Sequence, residues 1–164
     1  MKENRPKIDI PLQRLDWITE LLGFIGLCFL VGLPIYFFDS LPDEVPIHFD
    51  ADGKPNGYSK KTGIWLLPSI GALMYFFMFW LNKYPHTFNY PQKVTQENAR
   101  RLYTSATRMM RTLNAIIACA FAYITYAMLQ TALGNQDGIG IWFLPVFLVG
   151  IFGLIGYFMY KSVK

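Results

Sequence analysis

Residues 17–38, WITELLGFIGLCFLVGLPIYFF, form an apolar run of 22 residues whose one charged side chain is Glu20. A helix needs about 20 residues to cross a hydrocarbon core of about 30 Å, so this run is long enough to span a membrane. Three further runs have the same character, at residues 63–82, 113–133 and 139–160. Because the runs are continuous, and because a helix satisfies its own backbone hydrogen bonds in lipid, they predict four transmembrane helices.

The composition agrees with a chain built for lipid. Hydrophobic residues make up 53% of the sequence and charged residues 16%, whereas soluble domains carry roughly 25% charged residues. This excludes a soluble globular enzyme and a disordered tail, and the net charge of +4 does not indicate a nucleic-acid partner. We predict an all-α integral membrane protein that forms a single membrane domain over residues 1–164, is not an enzyme and binds no cofactor.

The positions of the Lys and Arg residues predict the orientation. Of the 15 Lys and Arg residues, 12 lie before the first run, within the 83–112 segment or after the fourth run. The other three lie in the 39–62 loop. Because positive residues favour the cytoplasmic side, both termini are predicted to be cytoplasmic in a bacterial cell (inner) membrane. The 39–62 loop is then outside, and it is acidic, with five Asp and Glu residues against three Lys residues.

Small residues recur at helical spacing on three of the predicted helices. Small side chains let helix backbones approach closely in lipid, so these stripes predict packing surfaces within the chain or toward a homo-oligomer or membrane partner. They are Gly23 and Gly26 on the first helix, Ala115, Ala118, Cys119 and Ala122 on the third, and Gly150, Gly153 and Gly156 on the fourth.

Glu20 is the one ionisable residue inside a predicted span. A carboxylate at bilayer depth often marks a functional site, which would make Glu20 a candidate for ion coupling. It also lies only one turn from Trp17, near the interface. The favoured interpretation is therefore an interfacial ion pair with Arg14 or with a basic residue of the 83–112 segment.

The 95–112 stretch has apolar residues at helical spacing, and its basic residues fall mostly off that face. This pattern predicts a cytoplasmic amphipathic helix on the anionic lipid surface, which then bends or runs into the third span. Docking of a cytosolic partner is the alternative. The residues predicted to face lipid are Arg100, Arg101, Arg108 and Arg111.

The 39–62 loop contains the strong turn signals Asp52-Gly53 and Asn56-Gly57, together with an apolar alternation around residues 45–49. We expect a folded cap with an extended segment near residues 47–49. His48, Asp50 and Asp52 alternate, so on a strand they would share one face and could form a metal triad or a hydrolase centre. Carboxylates beside turns more often cap the turn, so we expect no metal site.

The loop also carries a recognisable string, Leu-Pro-x-x-x-Pro-x-His-Phe-x-x-x-Gly-x-Pro-x-Gly-Tyr over residues 41–58, followed by a helix that begins near Trp65. Together with Asn-Tyr-Pro at 89–91 and Thr-x-Glu-Asn at 95–98, this resembles a bacterial membrane domain of unknown function. That domain also forms the amino-terminal part of SdpI-type proteins, which confer immunity to a secreted peptide toxin. The resemblance covers about residues 20–130 and implies four helices without known enzymatic activity. SdpI-type proteins add further helices after this domain.

Two classes of function follow. The first is a non-catalytic membrane protein whose outer loop recognises a peptide or envelope component, as in immunity or tolerance to a membrane-active peptide. The second is a small transporter or an accessory subunit of a transport complex that uses Glu20. The loop residues predicted to bind the ligand are His48, Phe49, Asp50, Asp52, Gly53, Gly57 and Tyr58.

Overall fold

The computed structural model describes residues 5–163. Within this range the chain forms four long helices and one antiparallel β-hairpin, with short 3-10 turns between them. The elements are α1 (Arg14–Phe37), β1 (Glu44–Phe49), β2 (Pro55–Lys60), α2 (Leu66–Leu81), α3 (Ala99–Ala132) and α4 (Phe143–Val163). Each of the four helices, with its adjoining 3-10 turns, is long and apolar enough to cross a membrane. This indicates a multi-pass membrane protein.

The amphipathic segment at residues 95–112 was expected either to bend or to run into the third span. The structure has the second arrangement, because one continuous helix of 34 residues runs from Ala99 to Ala132. No Gly or Pro interrupts the chain over this range, so nothing in the backbone favours a break there. The basic segment is therefore the first part of α3.

The core of the bundle is the contact between α1 and α3. A Cβ atom built on Gly26 would lie 2.9 Å from the backbone N of Cys119, and one built on Gly23 would lie 3.3 Å from Cα of Ala115. The predicted small-residue surfaces on α1 and α3 therefore face each other, backbone against backbone. Tyr75 of α2 completes this layer, in a cluster with Leu27, Leu30, Ala118 and Ala122.

Helix α4 packs against α3, yet none of its residues is buried. Gly150, Gly153 and Gly156 have no neighbouring atom within 4 Å of a built Cβ. Within residues 5–163 this stripe packs against no other helix, because α4 turns its glycines away from them, and a packing role toward a homo-oligomer or membrane partner stays a prediction.

Each end of the bundle is closed by chain that lies outside the helices. At the hairpin end, which comprises residues 38–65 and 133–142, Leu41 and Val45 pack with Ile64, Met128 and Leu129. At the basic end, which comprises residues 5–13 and 82–98, the N-terminal segment packs on the start of α3. There the Tyr103 hydroxyl donates to the carbonyl of Pro6 (3.0 Å).

A bulky residue at Gly26 should separate α1 from α3. We expect Gly26→Leu to lower the free energy of unfolding by about 1–3 kcal/mol, because overpacking moves backbone as well as side chains. Gly32→Leu is the matched control, since Gly32 lies on the same helix with open space around it. The measurement is the heating temperature at which each detergent-solubilised variant loses its monodisperse peak. Equal temperatures for the two variants would contradict the contact.

Candidate functional site

The hairpin tip is a turn organised by the side chain of Asp50. Its carboxylate accepts backbone N–H groups from Asp52 (3.0 Å) and Lys54 (2.9 Å). The backbone N–H of Gly53 also donates to the carbonyl of Asp50 (3.0 Å), and Gly53 has a φ of 78°. Asp50 is therefore the cap of an Asx-type turn, and Gly53 supplies the left-handed residue that the turn needs.

His48 and Tyr58 project from the strands as exposed side chains. His48 Nδ1 lies 2.5 Å from Oδ1 of Asn56, so the imidazole is oriented by the opposite strand. A side chain at Gly57 would lie 3.0 Å from Cβ of His48. Gly57 therefore makes room for the histidine against which it is paired.

The alternative metal triad of His48, Asp50 and Asp52 does not form. The strand ends at Phe49, so Asp50 and Asp52 belong to the turn and do not continue the alternation. Among residues 5–163, no group of three His, Cys, Asp or Glu side chains is placed to hold a metal ion.

The hairpin tip is joined to the α3–α4 loop. The backbone N–H of Ile139 donates to the carbonyl of Gly53 (2.8 Å), and a Cβ on Gly53 would lie 2.7 Å from the carbonyl of Gly140. The Tyr123 hydroxyl in turn donates to the carbonyl of Ile139 (3.0 Å). Two loops that are distant in sequence are thus held as one layer over the helices.

Beneath this layer lies a cavity of about 450 Å³, within the usual range for small-molecule sites. It is bounded by the hairpin, the start of α2, the start of α4 and the intervening face of α3, and it is open at the bundle surface. Its lining is almost entirely apolar, and the helices contribute Leu66, Leu67, Ile70, Ile124, Met128, Phe143 and Leu144.

The seven loop residues predicted to bind a ligand divide into two groups. His48, Phe49, Asp50 and Gly53 line the cavity, whereas Asp52, Gly57 and Tyr58 do not. The α3–α4 loop and the start of α4 were missing from the predicted site. The glycines at 138 and 140 in a short loop are a sequence signal for a close backbone approach, but they do not identify the hairpin as the partner.

At the basic end, α1 and α3 are joined by charged groups. Asp16 is 3% exposed, and its Oδ1 lies 3.2 Å from Nε of Arg108 and 3.9 Å from Nη1 of Arg111. Arg111 Nε donates to Oε1 of Glu20 (3.1 Å). The ion pair expected for Glu20 is therefore present, and its partner comes from the basic segment. Arg108 also hydrogen-bonds the Gln13 side chain.

This network corrects part of the assignment of the basic helix. Arg108 and Arg111 were predicted to face lipid, but their guanidinium groups turn toward carboxylates of α1 because α3 packs along that helix. Arg100 and Arg101 are exposed. Arg101 reaches the C-terminal end of α4, where Nη1 lies 3.4 Å from the carbonyl of Ser162.

Comparison with known proteins supports the resemblance to a domain of unknown function. A family model described as "Domain of unknown function (DUF1648)" matches residues 23–72, which cover most of α1, the hairpin and the first part of α2. The chain is also similar to an "Uncharacterized protein" of Archaeoglobus fulgidus, at 22% identity over 157 residues, covering 86% of this chain and 84% of that protein. No solved structure matches. Neither match carries the name of an immunity protein, so the SdpI-type resemblance stays a prediction.

Substitution of Gly53 should detach the hairpin tip from the α3–α4 loop. We expect Gly53→Ala to accelerate cleavage of the Ala51–Asp52 bond by endoproteinase Asp-N several-fold, because the new Cβ meets backbone atoms of Gly140 and the alanine must adopt a positive φ. Gly134→Ala is the control, since Gly134 has a similar φ of 73° and no neighbour within 4 Å. Cleavage rates by mass spectrometry check this, and equal rates in the two variants would refute the contact.

Proposed function

We propose that this chain is a non-catalytic membrane protein that binds a cationic amphipathic peptide at the hairpin end and confers tolerance to it. The observation that carries the proposal is the apolar cavity beneath the hairpin. The ligand's apolar side chains would enter the cavity while its basic residues lie against the acidic loop.

The apolar half of this recognition depends on residues that the bundle leaves uncovered. Leu66, Ile70 and Leu144 line the cavity and are exposed on the bundle surface. The burial of one large apolar side chain stabilises a complex by about 1.5–3 kcal/mol. A cavity of this size can take more than one such side chain, which supports an amphipathic segment as the ligand.

The polar half depends on the charge of the 39–62 loop. It carries Asp39, Asp43, Glu44, Asp50 and Asp52 against three lysines. Asp50 is used within the turn, but the Asp52 side chain is exposed and makes no hydrogen bond within residues 5–163. Basic residues on the polar face of a membrane-active peptide are the complementary chemistry.

The transport alternative would require Glu20 to act as an ion-coupling group. Its carboxylate is held by Arg111 next to the Asp16–Arg108 pair, an arrangement that joins α1 to α3. We therefore favour ligand binding at the hairpin end over transport.

Filling the cavity should weaken peptide binding. We expect Ile70→Trp to lower the affinity for a dye-labelled helical Leu/Lys peptide about tenfold, because the indole occupies space that the ligand needs. Leu73→Trp is the matched control, since Leu73 lies on the same helix, is exposed and does not line the cavity. Binding is measured by fluorescence anisotropy with protein in nanodiscs of phosphatidylcholine.

Equal losses in the two variants, or unchanged binding in both, would contradict binding in the cavity. In cells, loss of the gene should increase sensitivity to a membrane-active peptide. Complementation by His48→Ala, which changes a side chain that lines the cavity, should then be weaker at equal protein level in the membrane. Unchanged sensitivity across a broad panel of such peptides would refute tolerance as the function, independently of the binding result.

We also propose that the hairpin end faces outward from a bacterial inner membrane and that both termini are cytoplasmic, as the positive charges favour. In a variant with Cys28 and Cys119 replaced by Ser, a cysteine at Asp52 should react with an impermeant maleimide in intact cells. A cysteine at Glu97 should react only after the membrane is opened. The reverse pattern would invert the topology.

A further inference from the structure

A second cavity, of about 380 Å³, lies at the basic end of the bundle. It is bounded by the N-terminal segment, the first turns of α1, the end of α2 and the basic part of α3. Its lining is more polar than that of the hairpin cavity, and it includes both acidic and basic side chains. The lining includes Trp17, Glu20, Phe79, Asn82, Lys83 and Arg111.

Asn82 contributes a buried polar side chain to this lining. It is 7% exposed, and its Oδ1 is buried without a hydrogen-bond partner among residues 5–163. Its backbone N–H donates to the carbonyl of Met78 (3.0 Å), so the residue is fixed at the end of α2. A buried amide oxygen without a donor is costly, which points to a ligand that supplies one.

The neighbouring charges define the rest of the ligand. Glu20 uses Oε1 to accept from Arg111, and its second oxygen makes no hydrogen bond with the described residues. Lys83 places its Nζ over the ring of Phe79, 5.3 Å from the ring centroid, and forms no ion pair within this part of the chain. The cavity therefore offers the Asn82 and Glu20 oxygens as free acceptors, the exposed carboxylate of Asp9, and Lys83 as a cation without an ion pair.

The cavity also lies at the level expected for lipid headgroups. Trp17, at the start of α1, and Phe79, near the end of α2, are both exposed on the bundle surface. Trp at a helix end marks the boundary between hydrocarbon and headgroups, so Trp17 indicates the level of the cavity. A ligand held here would extend its apolar part along these rings into the bilayer.

We propose that this cavity binds the headgroup of phosphatidylethanolamine. The primary ammonium donates to Oδ1 of Asn82 and to the free oxygen of Glu20, and the phosphate lies against Lys83. The zwitterionic headgroup matches the acceptors and the cation together, so the cavity is a lipid site separate from the hairpin cavity.

The N–H groups of the primary ammonium distinguish phosphatidylethanolamine from phosphatidylcholine. Choline has the same positive charge but no N–H donor, so phosphatidylcholine leaves the Asn82 oxygen unpaired. A site that hydrogen-bonds an N–H group discriminates strongly against an analogue that lacks it. Phosphatidylethanolamine should therefore be preferred over phosphatidylcholine about tenfold.

The test is native mass spectrometry of the detergent-purified full chain, mixed with equal amounts of the two lipids carrying identical acyl chains. We expect the phosphatidylethanolamine adduct to dominate about tenfold. Asn82→Leu should reduce this ratio to about one, because it removes the acceptor. Asn89→Ala is the control and should keep the preference, since Asn89 lies at the same end of the bundle but lines a different cavity.

Lys83→Gln provides a second variant, because exposed Lys83 can be changed without disturbing the core. It should weaken both lipid adducts several-fold and leave their ratio unchanged, as expected for a phosphate contact. Soluble phosphoethanolamine at the same concentration should give no retained adduct, since it lacks the acyl chains. Equal retention of the two lipids by the wild-type chain would overturn the proposal. So would an unchanged preference in a monodisperse Asn82→Leu variant, or retention of the soluble headgroup alone.

Discussion

The contact of the α1 and α3 backbones at Gly23 and Gly26 is the constraint on which the bundle depends. Lipid provides no hydrophobic force that drives two apolar helices together, so association depends on close packing and on polar contacts. Small residues on both helices let the backbones approach. Once that approach is made, the pair of Asp16 with Arg108 and the pair of Glu20 with Arg111 follow from the register of the two helices.

The register also determines how each end closes. Because α3 continues unbroken from Ala99 to Ala132, it carries contacts at both ends of the bundle. Tyr103 holds the N-terminal segment through Pro6, and Tyr123 holds Ile139 of the α3–α4 loop. Burial raises the pKa of Tyr90 in the same N-terminal packing. Its hydroxyl therefore stays a neutral donor to the carbonyl of Pro85 (2.7 Å).

The sequence was sufficient to predict the four apolar helices, because hydropathy and length are properties of each segment alone. It could not predict that Gly53 meets Ile139, since that hydrogen bond depends on how α3 and α4 are placed beside the hairpin. For the same reason Ile139 and Gly140 were assigned to the fourth span. The amphipathic pattern around Arg108 and Arg111 was also compatible with two outcomes, lipid contact and pairing with α1. Only the position of Asp16 and Glu20 across the interface distinguishes them.

Helix α4 differs from the other three because none of its residues is buried and its glycines face open space. The residue types along α4 are therefore constrained by the bilayer around the helix rather than by neighbouring side chains. Exchange of one apolar residue for another should be tolerated over most of its length. The two ends are exceptions. Phe143 stacks on Tyr123 at the first turn, with ring centroids 5.3 Å apart, and Gln92 and Arg101 hydrogen-bond the carbonyl of Ser162 at the last turn. The helix is thus attached at both ends, and most of the surface between them is free to drift in evolution at constant hydropathy.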